Sequence, residues 1–296
     1  MPPYLGLALG VAAVSSAAVI IRLAGEAPAL VIGVYRLTIA SLVVLPAALL
    51  FKHRDLEAYD KRSITIALLS GAFLALHFAF WITSLDFTSV ASSVVLVTTS
   101  PLMIAPLSRW LTGDAVCRRT VFGILLALLG VGTIAFGAGR PEFGDLAGDG
   151  LALLGAAAMA GHRITGRRLR RDVSVMAFIS VAYPVAAVLL MMAAWVSGSA
   201  FSGFAPATYW WLLLLGLLPQ VLGHSLLNWS LGHLSAVIVS TAVMAEPAGA
   251  TVLAYFFLSE APGPHELVGG AIVLAGVYLA VGGEKNNMPQ STQGRI

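Results

Sequence analysis

Charge is what this sequence of 296 residues has least of: Lys, Arg, Asp and Glu make up 10%, against 58% hydrophobic residues. Soluble domains carry roughly 25% charged residues. A chain this poor in them cannot cover its surface with polar groups, and its mean hydropathy of +0.90 points to lipid as the solvent. Cysteine is nearly absent. Cys117 stands alone, which excludes an intrachain disulfide, and no Cys/His spacing suits a metal. There is no Gly-x-x-x-x-Gly-Lys-Ser/Thr loop to cradle ATP phosphates. Nor is there a His-Glu-x-x-His or Gly-x-Ser-x-Gly constellation, or a carbonyl-ring filter of the Thr-Val-Gly-Tyr-Gly type. These gaps argue against an ATP-driven pump, a hydrolytic enzyme and a potassium-type channel, and no cofactor is expected. The first apolar run is long and poor in early charge, unlike a cleavable signal.

What is present is apolar sequence in long runs. A spanning helix needs about 20 such residues. Ten candidate spans can be read: 4–23, 28–51, 64–85, 88–111, 119–137, 149–166, 173–197, 208–231, 235–258 and 265–282. Pro/Gly clusters such as Gly25-Glu26-Ala27-Pro28 and Pro262-Gly263-Pro264 punctuate them. From Glu284 onward the tail turns polar. Gly6-x-x-x-Gly10 offers a small-residue face for close helix packing. The basic residues sit in short loops, a topology signal rather than a nucleic-acid footprint.

The chain also repeats itself. At an offset of 146, Ser84–Gly137 lies over Ser230–Gly283 without a gap. Pro101 meets Pro247, Asp114 meets Glu260, Gly123 meets Gly269, and Gly130-Val131 meets Gly276-Val277. With the N-terminus inside, fourteen Lys and Arg fall on the cytoplasmic side and only Arg22 and Arg140 on the other. That bias follows the positive-inside rule and supports a count of ten. Five helices per half is odd, so the second half enters from the opposite side. The expected architecture is an all-α integral membrane fold of two inverted five-helix repeats, residues 1–145 and 146–283, with a cytoplasmic tail at 284–296. In such folds the substrate sits near the midplane between the halves.

Polar groups inside spans are costly and therefore informative. Arg36 lies in the second span and Glu246 at the centre of the ninth. Glu246 is a candidate proton-coupling site, Arg36 its partner or a carboxylate anchor, and a static interhelical tie is the alternative for both. His77, Trp81 and Ser84 recur at i, i+4, i+7, and Gln220, His224 and Asn228 at i, i+4, i+8, so each set shares one helix face if the helix is α throughout. Phe78 falls over His224 at the repeat offset. His162 is a candidate for an inner vestibule, whereas Arg163 reads as interfacial. Trp81 and Trp229 are candidates for stacking on a ligand. Pro101 and Pro247 remove one helical hydrogen bond each at matching places, a pair of candidate hinges.

These residues give the chain a resemblance to the drug/metabolite transporter superfamily, in its ten-helix EamA-type branch. The likeness rests on Tyr35-Arg36-Leu37, Thr99-Ser100-Pro101-Leu102 and Ala245-Glu246-Pro247. It extends to Thr112-Gly113-Asp114 and Leu258-Ser259-Glu260, each followed by a paired glycine motif. The chain departs from the family pattern in having Asp114 where Glu is usual, and Val14-Ser15-Ser16 where the first helix often has Trp-Gly. The resemblance implies alternating access with both termini cytoplasmic, and export of small metabolites across a bacterial-type inner membrane. The expected partners are a small-molecule substrate and the lipid bilayer, with no nucleic acid, and the chain as a monomer or weak dimer. Phosphorylated sugars would want several convergent cations, and only Arg36 lies deep in a span. Neutral or aromatic amino acids are the favoured cargo. A proton-coupled exporter of aromatic cations is the alternative.

Overall fold

The computed structural model describes residues 1–57, 59–84, 86–88, 90–136, 146–259 and 261–287. Arg140, Glu260 and the end of the tail lie outside them. Every regular element among the described residues is helical. Ten helical segments follow one another: α1 (Pro3–Ala24), α2 (Ala29–Phe51), α3 (Lys61–Ser84), α4 (Val90–Val97 with Ser100–Leu111), α5 (Arg118–Phe136), α6 (Leu146–Leu169), α7 (Val175–Val196), α8 (Pro206–Ser230), α9 (Ala236–Val243 with Glu246–Leu258) and α10 (Pro264–Asn287). A short turn of helix, His53–Glu57, lies between α2 and α3.

Eight of the ten segments are long and apolar enough to cross a membrane. The other two are α4 and α6, the latter carrying Asp149, His162, Arg163, Arg167 and Arg168. Local chemistry sets the ends. Pro3 and Pro206 stand in the first turn of their helices, where a missing N–H is harmless. Ser174 and Ser235 cap α7 and α9, each Oγ accepting from a backbone N–H three residues on at 3.2 Å. The α9 helix stops at Ser259, whose φ of 56° is left-handed.

Two helices contain a break, and both breaks fall at one repeat position. In α4 the helix lapses at Thr98–Thr99, just before Ser100-Pro101. In α9 it lapses at Met244–Ala245, just before Glu246-Pro247, again 146 residues on. Proline has no N–H to continue the ladder, and its ring crowds the carbonyl four residues back. Tighter three-residue bonds close the gap: Thr99 N–H donates to Leu96 O at 3.2 Å, and Met244 N–H to Thr241 O at 3.1 Å. The sequence pattern predicts kinked continuous helices; instead each proline opens a second helix.

Close helix pairs rest on small residues, as expected where lipid gives no hydrophobic drive for helices to associate. The α5 and α10 helices run antiparallel with backbones in contact. A Cβ on Gly123 would stand 2.6 Å from Gly276 O, and one on Gly130 2.7 Å from Gly269 O. The contacts are reciprocal: Gly123 and Gly269 are repeat mates, as are Gly130 and Gly276. The Gly6/Gly10 face packs within the chain, against Trp229 and Leu227 of α8. Trp229 is thereby committed to α1 and to His233, whose ring lies 4.3 Å away, and not to a ligand.

Candidate functional site

A cavity of about 630 Å³ occupies the middle of the bundle. Side chains from α1, α2, α3, α6, α8 and α9 form its walls, and both breaks reach it through Thr98, Ser100, Met244 and Glu246. It extends to one face only. Arg22, Ile134, Ala135, Leu258, Pro262 and Glu266 line its outer part, and all lie where α1, α5 and α9 end and α10 begins. That is the face away from Pro3.

The N-terminal face is shut. Leu7, Ile104, Ile124, Ile164, Leu231, Leu234 and Val237 form a buried apolar plug there. Over it lies a polar latch. Arg167 donates Nε and Nη2 to the two carboxylate oxygens of Asp114, each at 2.9 Å, and its Nη1 donates to Leu231 O at 2.9 Å. Arg171 adds a third bond to Asp114 at 2.9 Å, and Arg170 Nε donates to Asn228 O at 3.2 Å. One acid thus ties the α4–α5 loop to the end of α6. Burial opposes its charge, but the bonds from Arg167, with Thr112 and Arg171, outweigh burial and hold the Asp114 carboxyl below the usual carboxylate range.

Within the cavity the aromatic side chains make a continuous surface. Phe78, 1% exposed, is its centre. The Arg36 guanidinium sits 4.7 Å above its ring, a cation–π distance. His77 stacks on Trp81 at 5.8 Å, and His224 approaches Phe78 at 5.9 Å. His77 Nδ1 donates to the Gly155 carbonyl at 3.0 Å, which fixes the ring against α6. Five candidates from sequence therefore meet on one wall: Arg36, His77, Phe78, Trp81 and His224. Glu246 and Pro247 face them from α9. Pro101 is buried beside the break in α4 and is not part of the lining.

Three candidates lie behind that wall. Gln220 is fully buried and accepts from Arg36 Nε at 2.7 Å. Asn228 donates to the Tyr183 hydroxyl at 3.3 Å, and His162 Nε2 lies 3.3 Å from Asn228 Oδ1. His162 Nδ1 reaches Ser70 O at 3.1 Å, which joins α3, α6 and α8. The i, i+4, i+8 argument for α8 assumed α-helix throughout, but Gly216–His224 is π-helical around Pro219. Its wider i→i+5 turn separates the three side chains, so that only His224 reaches the cavity.

Arg163 is the residue that sequence reading placed wrongly. It is 2% exposed and lines the cavity instead of lying at an interface. Its guanidinium makes no hydrogen bond to the described residues, and Nε and Nη1 are fully enclosed. Glu246 is near enough for its charge to act on both Arg163 and Arg36, yet it forms no ion pair with either. A buried charge without a partner costs about 3–5 kcal/mol. The signal was available, since residue 163 lies inside the sixth apolar run, where a charge is a functional marker by default. Trp81 Nε1, His224 Nδ1 and Ser240 Oγ also lack partners among the described residues.

Comparison with known proteins gives the arrangement its family. The model of the EamA-like transporter family matches this chain twice, over residues 1–136 and 146–282. The chain belongs to the EamA-like transporter family. It is a multi-pass membrane protein and a transporter. It is 28% identical to an uncharacterized transporter of Bacillus subtilis, YetK, over 95% of this chain and 87% of that one. An uncharacterized transporter of Archaeoglobus fulgidus is 26% identical over 73% of this chain and 74% of its own length. A probable terminal-alkyne amino-acid exporter of Streptantibioticus cattleyicolor is 27% identical over 62% of each chain. A crystal structure of another protein superposes with a TM-score of 0.79 at 17% identity, covering 94% of this chain and 96% of that one. At that identity the likeness is one of fold. Among EamA-like transporters, then, this one combines an aromatic wall with two buried arginines and one facing acid.

Proposed function

We propose that this EamA-like transporter is a secondary exporter of small metabolites, with neutral or aromatic amino acids as its main cargo. It works by alternating access between two inverted five-helix halves, in a bacterial-type inner membrane with both termini cytoplasmic. The observation that carries this reading is the cavity. Its volume of about 630 Å³ falls in the usual range for small-molecule sites. It lies between the halves, reaches one face only, and presents Phe78, Trp81 and His77 beside charged groups. With the N-terminal face cytoplasmic, the shape is an outward-open one, with the release side exposed and the loading side latched by Asp114. The reciprocal glycine contacts of α5 and α10, and the matched breaks of α4 and α9, support the inverted relation of the halves. The probable amino-acid exporter among the relatives supports the choice of cargo.

A proton-coupled exporter of aromatic cations is the second reading. The position of Glu246 in the aromatic cavity favours it. Arg36 and Arg163 in the same lining oppose it, because two fixed cations repel a third.

Counterflow of labelled phenylalanine, threonine and leucine into proteoliposomes tests the reading. Saturable exchange of at least one is expected. No saturable flux for any amino acid would overturn it, and uptake of a cationic dye driven by a pH gradient would move the assignment to the second reading.

A further inference from the structure

We propose that Arg163 is the receptor for a carboxylate on the transported molecule, so that the cavity selects substrates carrying that group. The proposal rests on the transport reading above and names the group by which the site recognises its cargo.

The two arginines of the cavity differ in what holds them. Arg36 has its environment built in: Gln220 accepts from Nε at 2.7 Å, and Phe78 lies under the guanidinium plane at 4.7 Å. Arg163 has none of this. It is as deeply buried, at 2% exposed against 3% for Arg36, yet no nitrogen of its planar fork donates to any described residue. A guanidinium fork matches a carboxylate with two parallel hydrogen bonds. The charges of the inner lining, Arg36 and Arg163 against Glu246, leave an excess of one positive charge even with Glu246 ionised. A substrate carboxylate answers the charge of Arg163 locally, while Arg36 is already held by Gln220 and Phe78. A neighbouring orphan group is a donor as well: Trp81 Nε1 has no acceptor among the described residues. Glu246, within the field of both arginines and paired with neither, is the acceptor left for an ammonium group. The aromatic wall of Phe78 and Trp81 then takes the apolar body. Carboxylate, ammonium and apolar side chain are the three parts of a neutral α-amino acid.

The repeat adds an independent point. The position matching Arg163 in the first half is Ala17, a buried residue of α1. Arg163 is therefore not part of the duplicated frame.

Binding and transport should be read separately, with three probes of one skeleton: phenylalanine, 3-phenylpropanoate lacking the ammonium, and 2-phenylethylamine lacking the carboxylate. In detergent, ligand-dependent thermal stabilisation of the wild type is expected with the first two and not the third. Arg163→Gln should need roughly 100-fold more of either carboxylate probe, while Arg163→Lys retains a weaker response. The unliganded melting temperature reports whether each variant folds, and where Arg163→Gln does not fold, Arg163→Lys and the probe series decide. Stabilisation by phenylethylamine equal to that by phenylalanine, or wild-type affinity in Arg163→Gln, would overturn the proposal. The export reading fails in a different way, when carboxylate probes bind through Arg163 but no amino acid shows counterflow.

Discussion

The breaks in α4 and α9 are the same backbone device carrying different chemistry. Each places a proline second in a new helix, and each is closed by three-residue hydrogen bonds at matching positions. The α4 break presents Ser100 to the cavity, and the α9 break presents Glu246 at the equivalent position. Duplication supplied the break twice, but the charge occurs once. Arg36 and Arg163 follow the same rule, their repeat counterparts being Ala182 and Ala17. What the halves share reads as frame and motion; what they do not share reads as recognition.

The comparison can be broken most severely at the acid. Glu246→Gln should lower amino-acid counterflow by on the order of 100-fold, since it removes the carboxylate that faces the two cavity arginines and would hold the substrate's ammonium group. Moving the acid across the repeat, Glu246→Ser with Ser100→Glu, should not restore flux. Recovery in the double variant would show that the halves are chemically interchangeable.

Next in size is the shared frame. Gly130→Leu puts a side chain where a Cβ alone would lie 2.5 Å from Val273 N, whereas a Cβ on Gly132 meets nothing within 4 Å. Overpacking of this kind costs about 1–3 kcal/mol or more. Gly130→Leu should lose several degrees of melting temperature in detergent and Gly132→Leu almost none. Equal effects would deny that the α5–α10 contact holds the halves together.

The proline breaks come third. Pro101→Ala and Pro247→Ala each return a helical N–H. Both should slow exchange several-fold and by similar factors, with little change in substrate affinity. A large effect at Pro247 alone would tie that break to the chemistry of Glu246 and not to the fold.

The smallest effect belongs to the latch. Asp114 is held below the usual carboxylate range by Arg167, so its contribution is fully present above the ordinary carboxylate pKa. It is lost only as pH falls through the depressed folded value. Asp114→Asn removes ion pairs that solvent reaches, worth about 1 kcal/mol or less each. It should expose the N-terminal face to thiol reagents at neutral pH, as acidification does in the wild type. Unchanged protection of that face would mean the apolar plug closes it unaided.

Much of the fold was legible in sequence because lipid leaves few options. Apolar run length gave the ten segments within a few residues of α1, α7 and α8, and small residues marked where backbones touch. The breaks at 98–99 and 244–245 were half legible. Proline announced a fault, but whether a helix kinks or restarts depends on neighbours that no local pattern encodes. The site was legible where one helix presents a face of ordinary α-geometry, as with His77, Phe78 and Trp81. It was not legible across the π-helical turn of α8, where the spacing rule itself changes. Arg163 reads as interfacial in sequence because four more arginines follow it closely, and nothing local links it to Arg36, which is far away in sequence but lines the same cavity.

The central claim is that one cavity between the halves opens by turns to each face while holding its substrate. With Cys117 replaced by Ala, a single cysteine at Ala250, a lining residue of α9, reports it directly. A membrane-impermeant maleimide should label Ala250→Cys in sealed vesicles from the face away from the N-terminus, and a transported amino acid should change the labelling rate. Labelling from the N-terminal face alone, or a rate indifferent to every amino acid that the protein exchanges, would contradict it.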